Sequence, residues 1–166
     1  MSWRSAEAGR GRRWVSMATP EQAGRPSVLP VGDTIVLDVT SEWHVARVRN
    51  AVRVALERFR FSSVCSAYIE TAVSELAANL FFHTTNGGTI SFHCKRSDGG
   101  YEVVVVAEDD GPGIPDVDQA CLDGFSTNGG LGGGLPGVER LMDDFEIESR
   151  LGSGTRVRCR KWNPCR

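Results

Sequence analysis

Long apolar runs are missing from this chain. No stretch of about 18 uninterrupted apolar residues occurs, and the longest apolar block, Val103 to Ala107, has the length of a single strand. A membrane-crossing helix is therefore not expected. The opening MSWRSAEAGRGRRW carries arginines with no apolar stretch behind them, so no secretory signal is expected and the cytoplasm is the expected compartment. Histidine is scarce. His44, His83 and His93 do not stand at zinc-site spacing, and Cys65, Cys94, Cys121, Cys159 and Cys165 form no C-x-x-C pair. An odd cysteine count in such a chain reads as small apolar side chains kept reduced, and no histidine is placed by sequence to activate a thiol nucleophile.

What is present suits one soluble domain with one core: 166 residues, 40% hydrophobic and 24% charged. The formal charge of −2 conceals a segregation. The first 29 residues carry five arginines against Glu7 and Glu21, and the stretch from Arg150 onward carries six bases and no acid. Of 19 bases and 21 acids the two ends thus hold eleven and two, which leaves eight bases against 19 acids in the body. An acidic body is a poor general binder of nucleic acid, whose phosphates need a basic face. The ends read as solvated tails, with contact to an acidic partner as the alternative.

Residues 1–29 are rich in Gly, Arg, Ser and Pro without an apolar period, the composition of a basic leader expected to be disordered and dispensable, and Met17 offers a second possible start. The domain is expected over residues 30–162, followed by a tail at 163–166. TIVLDV at Thr34 to Val39 predicts a strand, with Thr40 and Ser41 as a helix N-cap. Val45, Val48, Val52, Ala55 and Phe59 then recur at helical steps, and after FSS at 61–63 a second helix carries Ala67, Tyr68, Thr71, Ala72, Leu76 and Leu80. Alternation over Thr89 to Lys95, the turn at Asp98-Gly99-Gly100, and Tyr101 to Glu108 predict a hairpin whose second strand is buried on both faces. A glycine-dense loop holding at most a short helix near Val117 to Leu122 leads to a third main helix opening at Leu135-Pro136. Strands near Phe145 to Glu148 and Thr155 to Lys161 close the chain. Hairpins with grouped helices make an α+β two-layer α/β sandwich with a mixed, mainly antiparallel sheet and helices on one face.

Three short elements carry chemistry. Glu75 and Asn79 are four apart and share a helix face, so a carboxylate base and a hard-cation ligand can serve one site. Asp109-Asp110-Gly111-Pro112-Gly113 ends the long strand, where a carboxylate can accept a hydrogen bond and glycines admit close backbone approach. Gly129 to Gly137 is a glycine run feeding a helix, a phosphate-binding arrangement. No G-x-x-x-x-G-K-[ST] is present. The formal G-x-G-x-x-G match, Gly132-x-Gly134-x-x-Gly137, has no strand immediately before it and no βαβ unit around it. The companion motifs of eukaryotic-type kinases are absent as well.

In this order, E-x-x-x-N, D-x-G-x-G and G-x-G-x-G-L resemble the three nucleotide boxes of the GHKL (Bergerat-fold) ATPase and kinase superfamily. SELAANL, EDDGPGIPD, DGFSTNGGLGGGLPGVERLMDDFEIES and GSGTRV are closer still to the serine/threonine switch kinases of stressosomes, over roughly Asp33 to Trp162. The resemblance implies ATP and Mg²⁺ as cofactors, with Asp109 on the adenine amino group, Asn79 on Mg²⁺, and Glu75 as base or orienter of the attacking hydroxyl. Gly111 and Gly113 would flank the nucleotide. Gly130, Gly132, Gly134 and Leu135 would wrap its phosphates under a mobile lid formed by residues 116–131. Gly133 departs from the pattern, where a larger residue is usual, and implies a more flexible lid base.

By the same resemblance the activity is phosphorylation of a STAS-domain protein (RsbS/RsbR-like) at serine or threonine, in a partner-switching pathway that includes a PPM-type phosphatase (RsbU-like). Two other classes share the boxes. A histidine kinase needs a phosphoacceptor on an upstream helical hairpin, and here only His44 is available. An anti-sigma-like binding module would hold ATP without turnover and sequester a protein partner.

Overall fold

The computed structural model describes residues 13–15, 33–97, 99–122 and 133–164. Six strands form one sheet: β1 (Arg13–Val15), β2 (Asp33–Val39), β3 (Gly88–Ser97), β4 (Gly100–Asp109), β5 (Asp144–Arg150) and β6 (Gly154–Pro164), in the order β1-β5-β6-β4-β3-β2. Every neighbouring pair is antiparallel except β1 with β5. The helices are α1 (Glu42–Arg58), α2 (Ser63–His83), α3 (Val117–Ala120) and α4 (Gly134–Leu141). The α+β sandwich with its mixed, mainly antiparallel sheet is thus borne out.

The periodicities become faces. Val48, Val52 and Leu56 of α1 are fully buried, each contributing roughly 1.5–3 kcal/mol relative to exposure; Val48 and Val52 belong to the stripe read from the sequence, whose Val45, Ala55 and Phe59 are partly buried, and Leu56 is not part of it. Helix α2 is apolar over more of its circumference because it lies between α1 and α4 as well as on the sheet. The VVVVA run of β4 is buried on both faces, as expected. Val157 and Cys159 face the core while Arg156, Arg158 and Arg160 take the opposite face of β6.

Those arginines form a cross-strand ladder with acids. Arg158 Nη1 reaches both carboxylate oxygens of Glu146 at 3.2 and 3.3 Å, Arg156 meets Glu108 at 2.9 Å, and Arg160 pairs with Asp144. The acids come from β4 and β5, directly opposite in register, so the stripe is largely neutralised within the sheet and is not an open basic surface. Because β6 lies between β4 and β5, ending the chain at Gly154 removes a central strand. Complete loss of the cooperative thermal transition is expected in calorimetry.

Two local readings differ from the sequence-based expectation. Ser41 is the N-cap residue of α1 but its side chain caps nothing; instead His44 Nδ1 accepts from the Thr40 backbone N–H at 3.1 Å. Arg13–Val15, within the expected leader, pair with β5. An edge strand offers its free N–H and C=O groups to any extended segment, so composition gives no warning of such pairing. The remaining residues of the leader lie outside those described.

Candidate nucleotide site

A cavity of about 400 Å³ opens between the helix layer and the ends of β4 and β6, and three separate stretches of sequence meet in it. Glu75 and Asn79 come from one side of α2, Asp109 and Gly113 from the end of β4 and its following turn, and Gly134 and Leu135 from the start of α4. The buried positions of α2, Leu76, Ala77 and Leu80, face the core, which turns Glu75 and Asn79 along the flank toward the cavity. Gly111 lines an adjoining cleft with His83 and Thr84. Gly130 and Gly132, and the candidate lid beyond Leu122, lie outside the described residues.

Asp109 is held by its own turn. The Gly111 N–H donates to Asp109 Oδ1 at 2.8 Å, an Asx-type bond that aims the carboxylate. Burial pushes its pKa up from the ordinary aspartate value, opposed by backbone hydrogen bonds from Gly111 and Thr155, while the neighbouring Asp110 charge adds to the rise. Gly113 has φ +73°, and a Cβ there would sit 2.2 Å from the Arg150 carbonyl oxygen. The turn is further pinned by Ile114 N–H donating to Ser149 Oγ at 2.8 Å and Gly152 N–H donating to the Pro112 carbonyl at 2.9 Å. Gly113→Ala combines a left-handed φ with a backbone clash, so a stability loss of about 2 kcal/mol or more is expected in denaturant titration, with nucleotide affinity lowered as the turn shifts.

The glycine loop and the α2 carboxylate are in direct contact. Gly134 N–H, at the first residue of α4, donates to Glu75 Oε2 at 3.2 Å. A helix N-terminus presents unpaired N–H groups and partial positive charge, so an anion is favoured there. Glu75 supplies that anion in this structure, and a phosphate has the same chemistry. Gly133, at φ +78°, turns the chain into this helix in a conformation that a larger side chain rarely adopts.

Sequence reasoning missed part of the lining. Thr155, Thr84, Ile114 and Val157 all border the cavity. Thr155 stands opposite Asp109 in the β4–β6 register, and its Oγ1 lies 2.8 Å from Ser149 Oγ. The GSGTRV string contains it, but only the pairing of β6 with β4 brings it to the carboxylate. His83 is an exposed residue at the rim, whereas His93 is buried on β3 with Nδ1 2.8 Å from Thr34 Oγ1. Among the described residues no group of three His, Cys, Asp or Glu side chains can hold a metal ion. No helix among them is long and apolar enough to cross a membrane.

Residues 38–161 match the family model described as the histidine kinase-like ATPase domain. This chain belongs to that ATPase family. The GHKL resemblance is therefore borne out, and ATP is the nucleotide that the family implies. The serine/threonine-protein kinase RsbT of Bacillus subtilis (strain 168) is 40% identical over 132 residues, which cover 80% of this chain and 98% of that protein. The anti-sigma F factor of Clostridium novyi (strain NT) is 31% identical over 99 residues, 56% of this chain and 68% of that one. In fold the chain is similar to a crystal structure of the RsbU and RsbW domains of a Mycobacterium tuberculosis protein. The TM-score is 0.55 with 20% identity, over 81% of this chain and 34% of that one.

Proposed function

We propose that this chain transfers the γ-phosphoryl group of ATP to a serine or threonine of a STAS-domain partner, acting in a partner-switching pathway. The kinase class rests on 40% identity across almost the whole of RsbT, a broader match than the anti-sigma factors give. The observation that carries the mechanism is the convergence of Glu75, Asn79, Asp109 and the start of α4 on one cavity.

Phosphoryl transfer asks mostly for positioning and charge stabilisation. Asp109, aimed by Gly111, accepts from the adenine amino group, and the cavity walls Ala107, Ile114 and Val157 take the ring. The amides at the start of α4 take phosphate oxygens in place of Glu75. Displaced from Gly134, the Glu75 carboxylate is then available to orient or deprotonate the incoming hydroxyl. Asn79 fits Mg²⁺, an ion usually held by one or two protein oxygens together with phosphates and water. Such an ion would neutralise charge between the phosphates.

Radiolabelled ATP with a STAS protein encoded beside this chain tests the reading. Acid-stable label on the partner is the expected result. Label on neither protein supports an ATP-holding binding module, and acid-labile label supports histidine chemistry. The capping bond at His44 Nδ1 weighs against the last, because it occupies a ring nitrogen at a helix start.

A further inference from the structure

The proposed reaction brings a polyanion into an acidic cavity. Among the described residues that line it, Glu75 and Asp109 are carboxylates and none is lysine or arginine. Mg²⁺ and the amides at the start of α4 offset part of the charge of ATP, but transfer spreads charge over the γ-phosphate oxygens. Two carboxylates beside a polyphosphate raise the need for a fixed cation. The arginines of β6 do not meet it, because they take the face of the sheet away from the core and pair there with Glu108, Glu146 and Asp144.

Arg140 does. It stands in the last turn of α4, where a cation ordinarily faces the carbonyl end of the helix. Here its guanidinium runs the other way. A Cβ built on Gly133 would lie 3.1 Å from Arg140 Nη2, so the side chain reaches back along the helix to its N-cap residue. Positions 133, 137 and 140 share one stripe of the helix, and the two before Arg140 are glycines with no side chain to obstruct it. A larger residue at 133 would crowd the guanidinium, a second reason for glycine there besides its φ of +78°.

A cation at the positive end of a helix is disfavoured unless anions lie beside it. Glu75, which accepts from Gly134 N–H at 3.2 Å, is one such anion. Standard bond lengths keep Arg140 Nη2 within roughly 7 Å of the Gly134 nitrogen, and a phosphate accepting from both at about 2.9 Å spans such a gap.

We propose that Arg140 is a catalytic residue of the transfer: its guanidinium binds the γ-phosphate of ATP together with the Gly134 amide and stabilises the charge that develops on it. This rests on the reading of the chain as an ATP-dependent protein kinase. The hydroxyl oxygen of the partner bonds to the γ-phosphorus and its proton passes to Glu75. The bond from that phosphorus to the bridging oxygen breaks, and its electron pair leaves on ADP. Arg140 stays with the oxygens that are transferred.

Calorimetry of the full-length chain with ATP and with ADP, both with Mg²⁺, tests the inference beside quench-flow measurement of transfer to the STAS partner. Arg140→Ala is expected to weaken ATP tenfold to a hundredfold and ADP by less than about twofold, because ATP alone offers a γ-phosphate. Transfer should fall about a thousandfold. Arg140→Lys keeps the charge without the planar fork and should lie between the two chains in both measurements. Arg140 is exposed, so the melting temperature without nucleotide should move little; if the alanine chain melts early, the lysine chain supplies the same comparison. An unchanged ratio of ATP to ADP affinity, or transfer within about threefold of the unmodified chain, overturns the inference. If the unmodified chain itself transfers nothing, the kinase reading fails, and the affinity ratio alone decides whether Arg140 holds the γ-phosphate.

Discussion

Glu75→Ala is expected to lower the rate of phosphoryl transfer to the STAS partner on the order of a hundredfold to ten-thousandfold, the usual cost of losing an acid–base group. ATP affinity should change little and in the favourable direction. Glu75 occupies the Gly134 N–H at 3.2 Å, so its removal frees an amide at the start of α4 for phosphate oxygens. Glu75→Gln separates the two roles. It can still accept from Gly134 but cannot take a proton, so it should resemble alanine in rate and the unmodified chain in affinity. Quench-flow measurement of the transfer step, beside calorimetry for ATP, gives both numbers. A transfer rate near that of the unmodified chain reduces Glu75 to a cap for α4.

Asp109→Asn is expected to weaken ATP binding tenfold to a hundredfold while the fold persists. The amide oxygen can keep the hydrogen bond from Gly111, but a nitrogen donor replaces the second carboxylate oxygen and faces the donating adenine amino group. Loss of one charge-assisted hydrogen bond is worth roughly 1.5–3 kcal/mol, which sets that range. The pH dependence has a definite sign. Burial raises the Asp109 pKa, so the carboxyl protonates at a higher pH than a solvated aspartate, and ATP affinity should begin to fall there as the solution is acidified. Stability moves the other way. A carboxyl whose folded pKa is raised contributes stability below its unfolded pKa, and that contribution is lost as pH rises through the folded value. Asparagine imitates the neutral form, so the variant's melting temperature at neutral pH should equal or exceed that of the unmodified chain. Unchanged affinity by calorimetry removes Asp109 from the adenine site.

Much of the site was legible because local geometry fixes it. Four residues along a helix return to one face, which pairs Glu75 with Asn79 whatever surrounds them. An aspartate two residues before a glycine at a strand end forms its own Asx bond, and Asp109 does so. What stayed hidden depends on register. Thr155 reaches Asp109 only through the pairing of β6 with β4, and Ser149 braces Ile114 across 35 residues of sequence. The contact between Glu75 and Gly134 spans 59 residues, and no local rule anticipates that the candidate base on α2 accepts from the first residue of α4, the helix that follows the glycine loop.

The same division runs through the molecule. The amphipathic stripes of α1, the doubly buried β4 and the alternation of β6 were set by the sequence alone, because a period of 3.6 or 2 decides which side chains share a face before anything packs on them. Where those faces go was decided only in three dimensions. The arginines of β6 read from the sequence as part of a solvated basic end, and only the pairing with β5 and β4 brings acids opposite them in register. Arg13–Val15 read as leader until the open edge of β5 offered them a partner. Charge compensation and edge pairing are contacts between residues far apart in the chain. They depend on strand order and strand direction, which the period of a single segment does not contain.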